Sequence, residues 1–175
     1  MKILHFLIFL ILSGFLPACD SPIHRGSKRT DPESLEEPLI QANKQAIRAE
    51  EQQITDFIHR YNWKMTETGS GLRYAIYHHG KGEKAEPGKI AVLKYNVRLI
   101  NGDEIYNSAR DGLKEFMIGK GGVESGLEEG ILLLSVGDQA KFIIPSHLGF
   151  GLLGDQDQVP PKSTLIYDLE LVALN

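Results

Sequence analysis

The side chains able to take part in chemistry here are mostly aromatic and aliphatic, not nucleophilic. His78 and His79 close the stretch Leu72-Arg73-Tyr74-Ala75-Ile76-Tyr77, where apolar and polar residues alternate as on a strand. Neighbours on a strand point to opposite faces, and no Cys or carboxylate stands at ligand spacing, so the pair reads as surface histidines and no metal site is expected. The single cysteine, Cys19, cannot form an intramolecular disulfide. Phe150 and Val159 are different. They lie in stretches rich in Gly and Pro, His147-Leu148-Gly149-Phe150-Gly151 and Val159-Pro160-Pro161, where a large apolar side chain has no automatic core to fill. A ligand pocket accounts for them better. Such a site acts by shape and apolarity, with no nucleophile, metal or cofactor.

The elements that must position this pocket centre on Gly119 to Pro145. Val123, Leu127, Ile131 and Leu134 recur at helical spacing after Gly119, Gly121 and Gly122. Ser135-Val136-Gly137-Asp138 then turns the chain into the apolar run Phe142-Ile143-Ile144. A short helix pressed on a sheet leaves part of the concave side open, which is where small ligands bind. From Lys89 to Ile100, Ala91, Leu93, Tyr95, Val97 and Leu99 face one way, with Val92, Lys94, Asn96 and Arg98 on the other. Asn101-Gly102 predicts a type I′ hairpin returning the chain into Glu104-Ile105-Tyr106-Asn107. A further strand is expected at Glu115 to Ile118. In the last strand Leu165, Tyr167, Leu169 and Leu171 alternate with Ile166, Asp168, Glu170 and Val172. Tyr95, Phe116 and Tyr167 would be inward core residues in any such sheet. The whole is an α+β domain with an antiparallel sheet.

At 175 residues there is room for one sizeable domain plus appendages. A formal charge of -4 offers no basic patch, so nucleic acid is not an expected partner. The first residues read as an address: a minimal basic start at Lys2, then an apolar run from Ile3 to Leu16 that is too short to span a bilayer comfortably. Leu16-Pro17-Ala18-Cys19 resembles the bacterial lipoprotein lipobox, which implies a signal peptide over 1–18 and lipidation of Cys19, holding the domain at a membrane of the cell envelope. The other reading is an ordinary signal with an incidental cysteine. The charged, proline-containing segment to Pro38 cannot bury enough to offset its ordering entropy and reads as a flexible tether over 19–38. A helical neck follows over 39–62, with Ile40, Ile47, Ile54 and Tyr61 every seven residues, joined by Phe57 and Ile58. The stripe is strong only near its end, which favours docking on the domain over a coiled-coil dimer. Monomer and weak dimer both stay open.

Three strings stand in order: Tyr95 to Ser108 (YNVRLINGDEIYNS), Gly119 to Gly151 (GKGGVESGLEEGILLLSVGDQAKFIIPSHLGFG) and Val159 to Leu174 (VPPKSTLIYDLELVAL). Together they resemble the FKBP-type peptidyl-prolyl cis/trans isomerases, over the region from Gly80 to the C-terminus. With its apparent lipobox, tether and neck, the chain also resembles the gliding-motility-associated isomerase lipoproteins. The resemblance implies a twisted antiparallel sheet wrapped around one short helix within 63–175, and X-Pro-containing polypeptides as substrates. It implies Tyr95, Phe116, Tyr167 and Phe150 as the principal pocket residues, with Ile105, Tyr106, Val123, Glu124, Leu127 and Val159 completing the substrate site. Glu124, at the helix start, would offer its backbone N–H to a peptide carbonyl, so its side chain is free to differ.

The departures from the family pattern carry expectations of their own. Tyr106 stands where the family usually has Asp, Leu127 where Trp often forms the floor, and Phe150 where a loop Tyr is usual. These remove an acceptor, a larger ring and a hydroxyl, and predict reduced turnover. A register shifted by one would place Asn107 at the Asp position. Two functions are compatible with these residues: an envelope prolyl isomerase, and a module that holds proline-containing segments with little turnover.

Overall fold

A computed structural model describes residues 32–175. The signal segment 1–18, Cys19 and the tether as far as residue 31 lie outside the described residues. Helix α1 runs Pro32–Arg60, so it starts ahead of the expected neck and takes in residues 32–38 of the expected tether. Proline at a first helical position loses only an N–H that has no intrahelical acceptor, whereas Pro38 inside the helix removes a backbone bond. Gln41–Asn175 form one compact unit.

The strands are β1 (Thr66–Glu67), β2 (Arg73–His78), β3 (Ile90–Leu99), β4 (Glu104–Asn107), β5 (Lys114–Met117), β6 (Gln139–Ile144) and β7 (Leu165–Leu174). They form one sheet in the order β1-β2-β6-β7-β3-β4, with β5 also on β3. All the pairings are antiparallel. β5 takes the Ile90–Leu93 half of β3 and β4 the Asn96–Arg98 half, so the two share one edge. Between them lies a four-residue helix, α2 (Ser108–Asp111), whose N-cap Asn107 accepts the Ala109 N–H.

The alternation in β3 and β7 sorts as the sequence predicts. Leu93, Val97, Leu165, Tyr167, Leu169 and Leu171 are buried on one face, together with Ala140, Phe142 and Ile144 of β6. Against that face packs α3 (Ser125–Ile131), which is shorter than the Val123 to Leu134 periodicity implied. Leu127 and Ile131 are buried within it, and Leu134 is buried in the turn beyond. The approach is close because two glycines face the sheet. A Cβ on Gly130 would stand 2.4 Å from Phe142 Cε2, and one on Gly126 would stand 2.6 Å from Ile144 Cγ2.

The opposite face of the sheet is polar at Lys94 and Arg98 but apolar at Ile143 and Ile166, which bury with Ile54 and Phe57 of α1. Docking therefore uses the second half of the helix: Ile54 is 0% exposed, whereas Ile47 is 58% and Tyr61 55% exposed. Polar clamps reinforce it. Glu51 pairs with Arg73, and the Glu50 carboxylate accepts the Ser146 N–H (2.7 Å), Ser146 Oγ–H (2.9 Å) and Thr164 Oγ1–H (2.7 Å).

The β3–β4 turn differs from the type I′ expectation. Gly102 has φ of 101°, but Asn101 does not have positive φ. Instead Gly102 N–H donates to Leu99 O (2.9 Å), Leu99 N–H to Asp103 O (2.9 Å), and Asn101 Oδ1 accepts the Asp103 N–H (3.0 Å). The asparagine side chain does the turning that a second left-handed residue would have done, and a bulge between Val97 and Arg98 absorbs the extra length.

Candidate active site

An open cleft of about 1010 Å³ lies on the α3 side of the sheet. β3 supplies Tyr95, β4 supplies Tyr106, the approach to α3 supplies Val123 and Glu124, and the loop after β6 supplies Phe150. The other five residues of the expected site, Ile105, Phe116, Leu127, Val159 and Tyr167, are buried in the core cluster, and none of them lines the cleft surface. Phe150 and Val123 are partly buried and pack against that same cluster, so the cleft has an aromatic and aliphatic underlay.

Val159 is a correction to the loop argument. Its side chain is buried, because Asp155 Oδ1 accepts both the Asp157 N–H (2.9 Å) and the Val159 N–H (2.7 Å) and curls the loop into a turn that tucks Val159 inward. Phe150 does face the cleft. Its loop is fastened where Ser125 Oγ–H donates to Leu148 O (3.1 Å) and at the Glu50 clamp on Ser146.

The Glu124 side chain is 2% exposed, with Oε1 accepting the Tyr167 hydroxyl at 2.5 Å. Burial first, and then the nearby Glu124 carboxylate, push the Tyr167 hydroxyl well above its ordinary range, which keeps it a donor. Oε2 has no hydrogen-bond partner among the described residues; it forms an ion pair with Lys114 Nζ at 3.6 Å, beyond good hydrogen-bond distance. The same ammonium lies 5.7 Å from the Tyr95 ring centroid and 5.9 Å from that of Tyr167. The Glu124 backbone is the N-cap of α3, at the helix end whose N–H groups have no intrahelical acceptor.

Tyr106 makes a polar contact across the cleft. Its hydroxyl donates to Asp155 Oδ2, so a carboxylate reaches this wall from the opposite loop. Burial and then that hydrogen bond raise the Tyr106 hydroxyl above its ordinary range. Burial alone would raise Asp155, but Tyr106 and the backbone N–H groups hold it below the usual aspartate range. Asn107, which a register shifted by one would put at that Asp position, caps α2 by accepting the Ala109 N–H.

Lys114, Asp155 and Glu50 were not among the predicted site residues. The Gly154-Asp155-Gln156-Asp157 run carries a turn signal that marks Asp155. Lys114 and Glu50 look like ordinary solvated charges and carry no such mark. On the far face of the sheet a second hollow of about 620 Å³ is lined by Phe57, Trp63 and Tyr77. There Lys141 Nζ sits 5.3 Å from the Trp63 ring centroid and 5.2 Å from that of Tyr77. Asp168 closes this arrangement by accepting from Lys141 and from the Tyr77 hydroxyl.

Among known proteins, residues 81–172 match the family described as FKBP-type peptidyl-prolyl cis-trans isomerase. The chain is 40% identical over 93 residues to FK506-binding protein 2 of Dictyostelium discoideum, an alignment spanning 53% of this chain and 70% of that one. It is 30% identical over 150 residues to a probable FKBP-type peptidyl-prolyl cis-trans isomerase of Haemophilus influenzae, spanning 82% of this chain and 61% of that one. The crystal structure of FkpA from Escherichia coli superposes with a TM-score of 0.65 at 27% identity, covering 84% of this chain and 74% of that one. The antiparallel sheet with its helix and the matched span agree: the chain belongs to the FKBP-type peptidyl-prolyl cis-trans isomerase family.

Proposed function

We propose that this protein isomerises X-Pro bonds in polypeptides of the cell envelope, held at a membrane by lipid on Cys19, in the gliding-motility setting that the narrower resemblance implies. The observation that carries the catalytic reading is the cleft itself, where Tyr95, Val123 and Phe150 flank the Glu124 N-cap above a core of Phe116, Leu127 and Tyr167. Rotation about an X-Pro bond meets a barrier of ~18–20 kcal/mol because twisting costs amide resonance. The twisted imide has a less polar carbonyl, so an apolar aromatic wall favours it over the planar form. A free helix-start N–H orients the flanking carbonyl. Catalysis is then differential binding of the twisted amide, and lowering the barrier by ~5–7 kcal/mol corresponds to roughly 10⁴- to 10⁵-fold.

A protease-coupled or exchange-based assay on a Leu-Pro peptide tests this. Phe150→Ala, in a partly exposed loop position, should lower kcat/KM at least about tenfold with little change in Tm. The parental rate in a folded Phe150→Ala variant would place the chemistry elsewhere. The second reading, peptide holding with little turnover, is favoured by Glu124, which puts a carboxylate into what would otherwise be an apolar wall. Peptide binding with no rate above background would support it. Lipidation has its own test: Cys19→Ser should release the protein from membranes.

A further inference from the structure

The hollow on the far face of the sheet takes no part in the cleft, and its lining is specific enough to describe a ligand. Its volume of about 620 Å³ lies within the ~300–1,000 Å³ of small-ligand sites. Four aromatic rings wall it. Phe57, Tyr61 and Trp63 come from the end of α1 and the turn beyond, with the Phe57 centroid 4.5 Å from that of Tyr61 and 5.3 Å from that of Trp63. Tyr77 comes from β2. Asn62, at φ of 51°, turns the chain there, and Trp63 packs against the cluster of Ile54, Phe57, Ile143 and Ile166. Phe57 is buried and serves to anchor α1, but Tyr61 is 55% and Tyr77 53% exposed. Anchoring does not account for two tyrosines that line a hollow while standing more than half in water.

The polar groups of the lining are unevenly committed. Asn96 Oδ1 accepts from Arg98 Nε–H (3.0 Å), Asn107 Oδ1 from the Ala109 N–H (2.8 Å) and Ser108 Oγ from the Tyr95 N–H (3.1 Å). Both Asp168 oxygens accept, from Tyr77 and Lys141. Glu170 Oε2 accepts from Gln139 at 3.4 Å, which leaves Glu170 Oε1 and Gln139 Oε1 open. Against these two acceptors stand more donors. The Trp63 indole N–H, the Tyr61 hydroxyl and the exposed Lys94 ammonium have no acceptor among the described residues, and the Arg98 guanidinium reaches Glu104 only at 4.0 Å. The hollow therefore offers aromatic faces and spare donors.

We infer that this far-face hollow binds a proline-rich segment in the polyproline II conformation, as a second polypeptide site separate from the cleft. Such a segment presents flat apolar rings to the aromatic wall and solvated backbone carbonyls to the spare donors. At each proline it carries no N–H that binding would leave unpaired. Its backbone is already extended before binding, so little ordering entropy is lost. The inference goes beyond the proposed activity and holds whether or not the cleft turns its substrate over. A client bound in the hollow would have its other proline bonds held at raised local concentration near the cleft.

Trp63 is the single tryptophan of the chain, so its fluorescence reports from this site. The full chain is titrated with a capped peptide of about three Ala-Pro-Pro turns, and with Ala-Gly-Gly and Ala-Gly-Glu peptides of the same length. Backbone-amide NMR shifts locate the binding. The proline peptide should give a saturable fluorescence change, shifts at Trp63, Tyr77 and Lys94, and a Kd at least about fivefold below that of either control. Tyr61→Ala should weaken it about fivefold, the scale of one lost ring contact. Because Tyr61 also touches Phe57, Lys94→Gln serves as a second variant that leaves the aromatic cluster intact, and should weaken binding about threefold. No saturable change, equal binding of the glycine or the acidic peptide, or shifts confined to Val123, Glu124 and Phe150 would overturn the inference. So would an unchanged Kd in both folded variants. Turnover of a Leu-Pro peptide is scored separately and bears only on the cleft.

Discussion

Glu50 lies far from the cleft in sequence and on the other side of the sheet from α3, yet it fastens both ends of the roof. One carboxylate accepts from the Ser146 N–H, the Ser146 hydroxyl and the Thr164 hydroxyl, and the segment between those residues carries Phe150 and Val159. In Glu50→Ala all three donors lose their acceptor. Thr164 is buried, so water replaces its partner poorly, whereas the partly exposed Ser146 groups can rehydrate. A hydrogen bond to a charged group is worth ~1.5–3 kcal/mol, and bonds sharing one acceptor do not add fully, so the expected loss is ~2–4 kcal/mol. With a urea m-value of ~2 kcal/mol/M, the midpoint should drop by about 1–2 M. The loosened loop should also lower kcat/KM about three- to tenfold, a change of up to ~1.4 kcal/mol in transition-state binding. Urea unfolding by tryptophan fluorescence, beside an isomerisation assay in the absence of urea, reads both. A midpoint within about 0.3 M of the parent would refute the clamp. Full loss of stability with undiminished kcat/KM in the folded fraction would refute its link to the roof. A double-mutant cycle with Thr164→Val isolates the coupling.

Gly130→Ala should destabilise by ~1–3 kcal/mol, because the new methyl would meet the buried Phe142 ring at 2.4 Å; thermal unfolding checks this, and Phe142→Leu should recover part of the loss. Asp155 is held below the usual aspartate range, so its contribution to stability is present above that range and is lost as pH falls through its lowered value. Tyr106→Phe removes one of the causes, and the Tm-against-pH curve of this variant should therefore fall less steeply below about pH 4 than the parent's. Ile54→Ala should cost ~2–5 kcal/mol and raise amide exchange along α1 from Gln41 onward, since that side chain is fully buried where the helix meets Ile143 and Ile166.

How much of this was legible in the sequence depends on the range of the interaction. Alternation in β3 and β7 reports which face is buried, because a strand's period of two is a local property, and both faces sort as read. The docking half of α1 was legible for the same reason: apolar residues thicken toward Ile54, Phe57 and Ile58. The turn at Asn101-Gly102 was located but given the wrong geometry, since a side-chain acceptor can substitute for a backbone conformation without changing the dipeptide. Phe150 was found because a large ring in a glycine-rich loop is locally anomalous; Val159, which looked equally anomalous, is tucked inward by Asp155.

Beyond the turn signal at Asp155, the polar contacts of the cleft and of its loop clamp had no local signature. Glu124 meets Tyr167 across 43 residues, Tyr106 meets Asp155 across 49, and Glu50 meets Thr164 across 114. Hydrophobic burial needs only a face and is indifferent to which partner covers it, so a periodic pattern can announce it in advance. A buried carboxylate needs a donor at one distance and angle, and that match exists only after folding has brought distant segments together. The pattern of the chain therefore announces a sheet, a helix and an apolar hollow between them, while the acidic lining that distinguishes this hollow arises from long-range geometry.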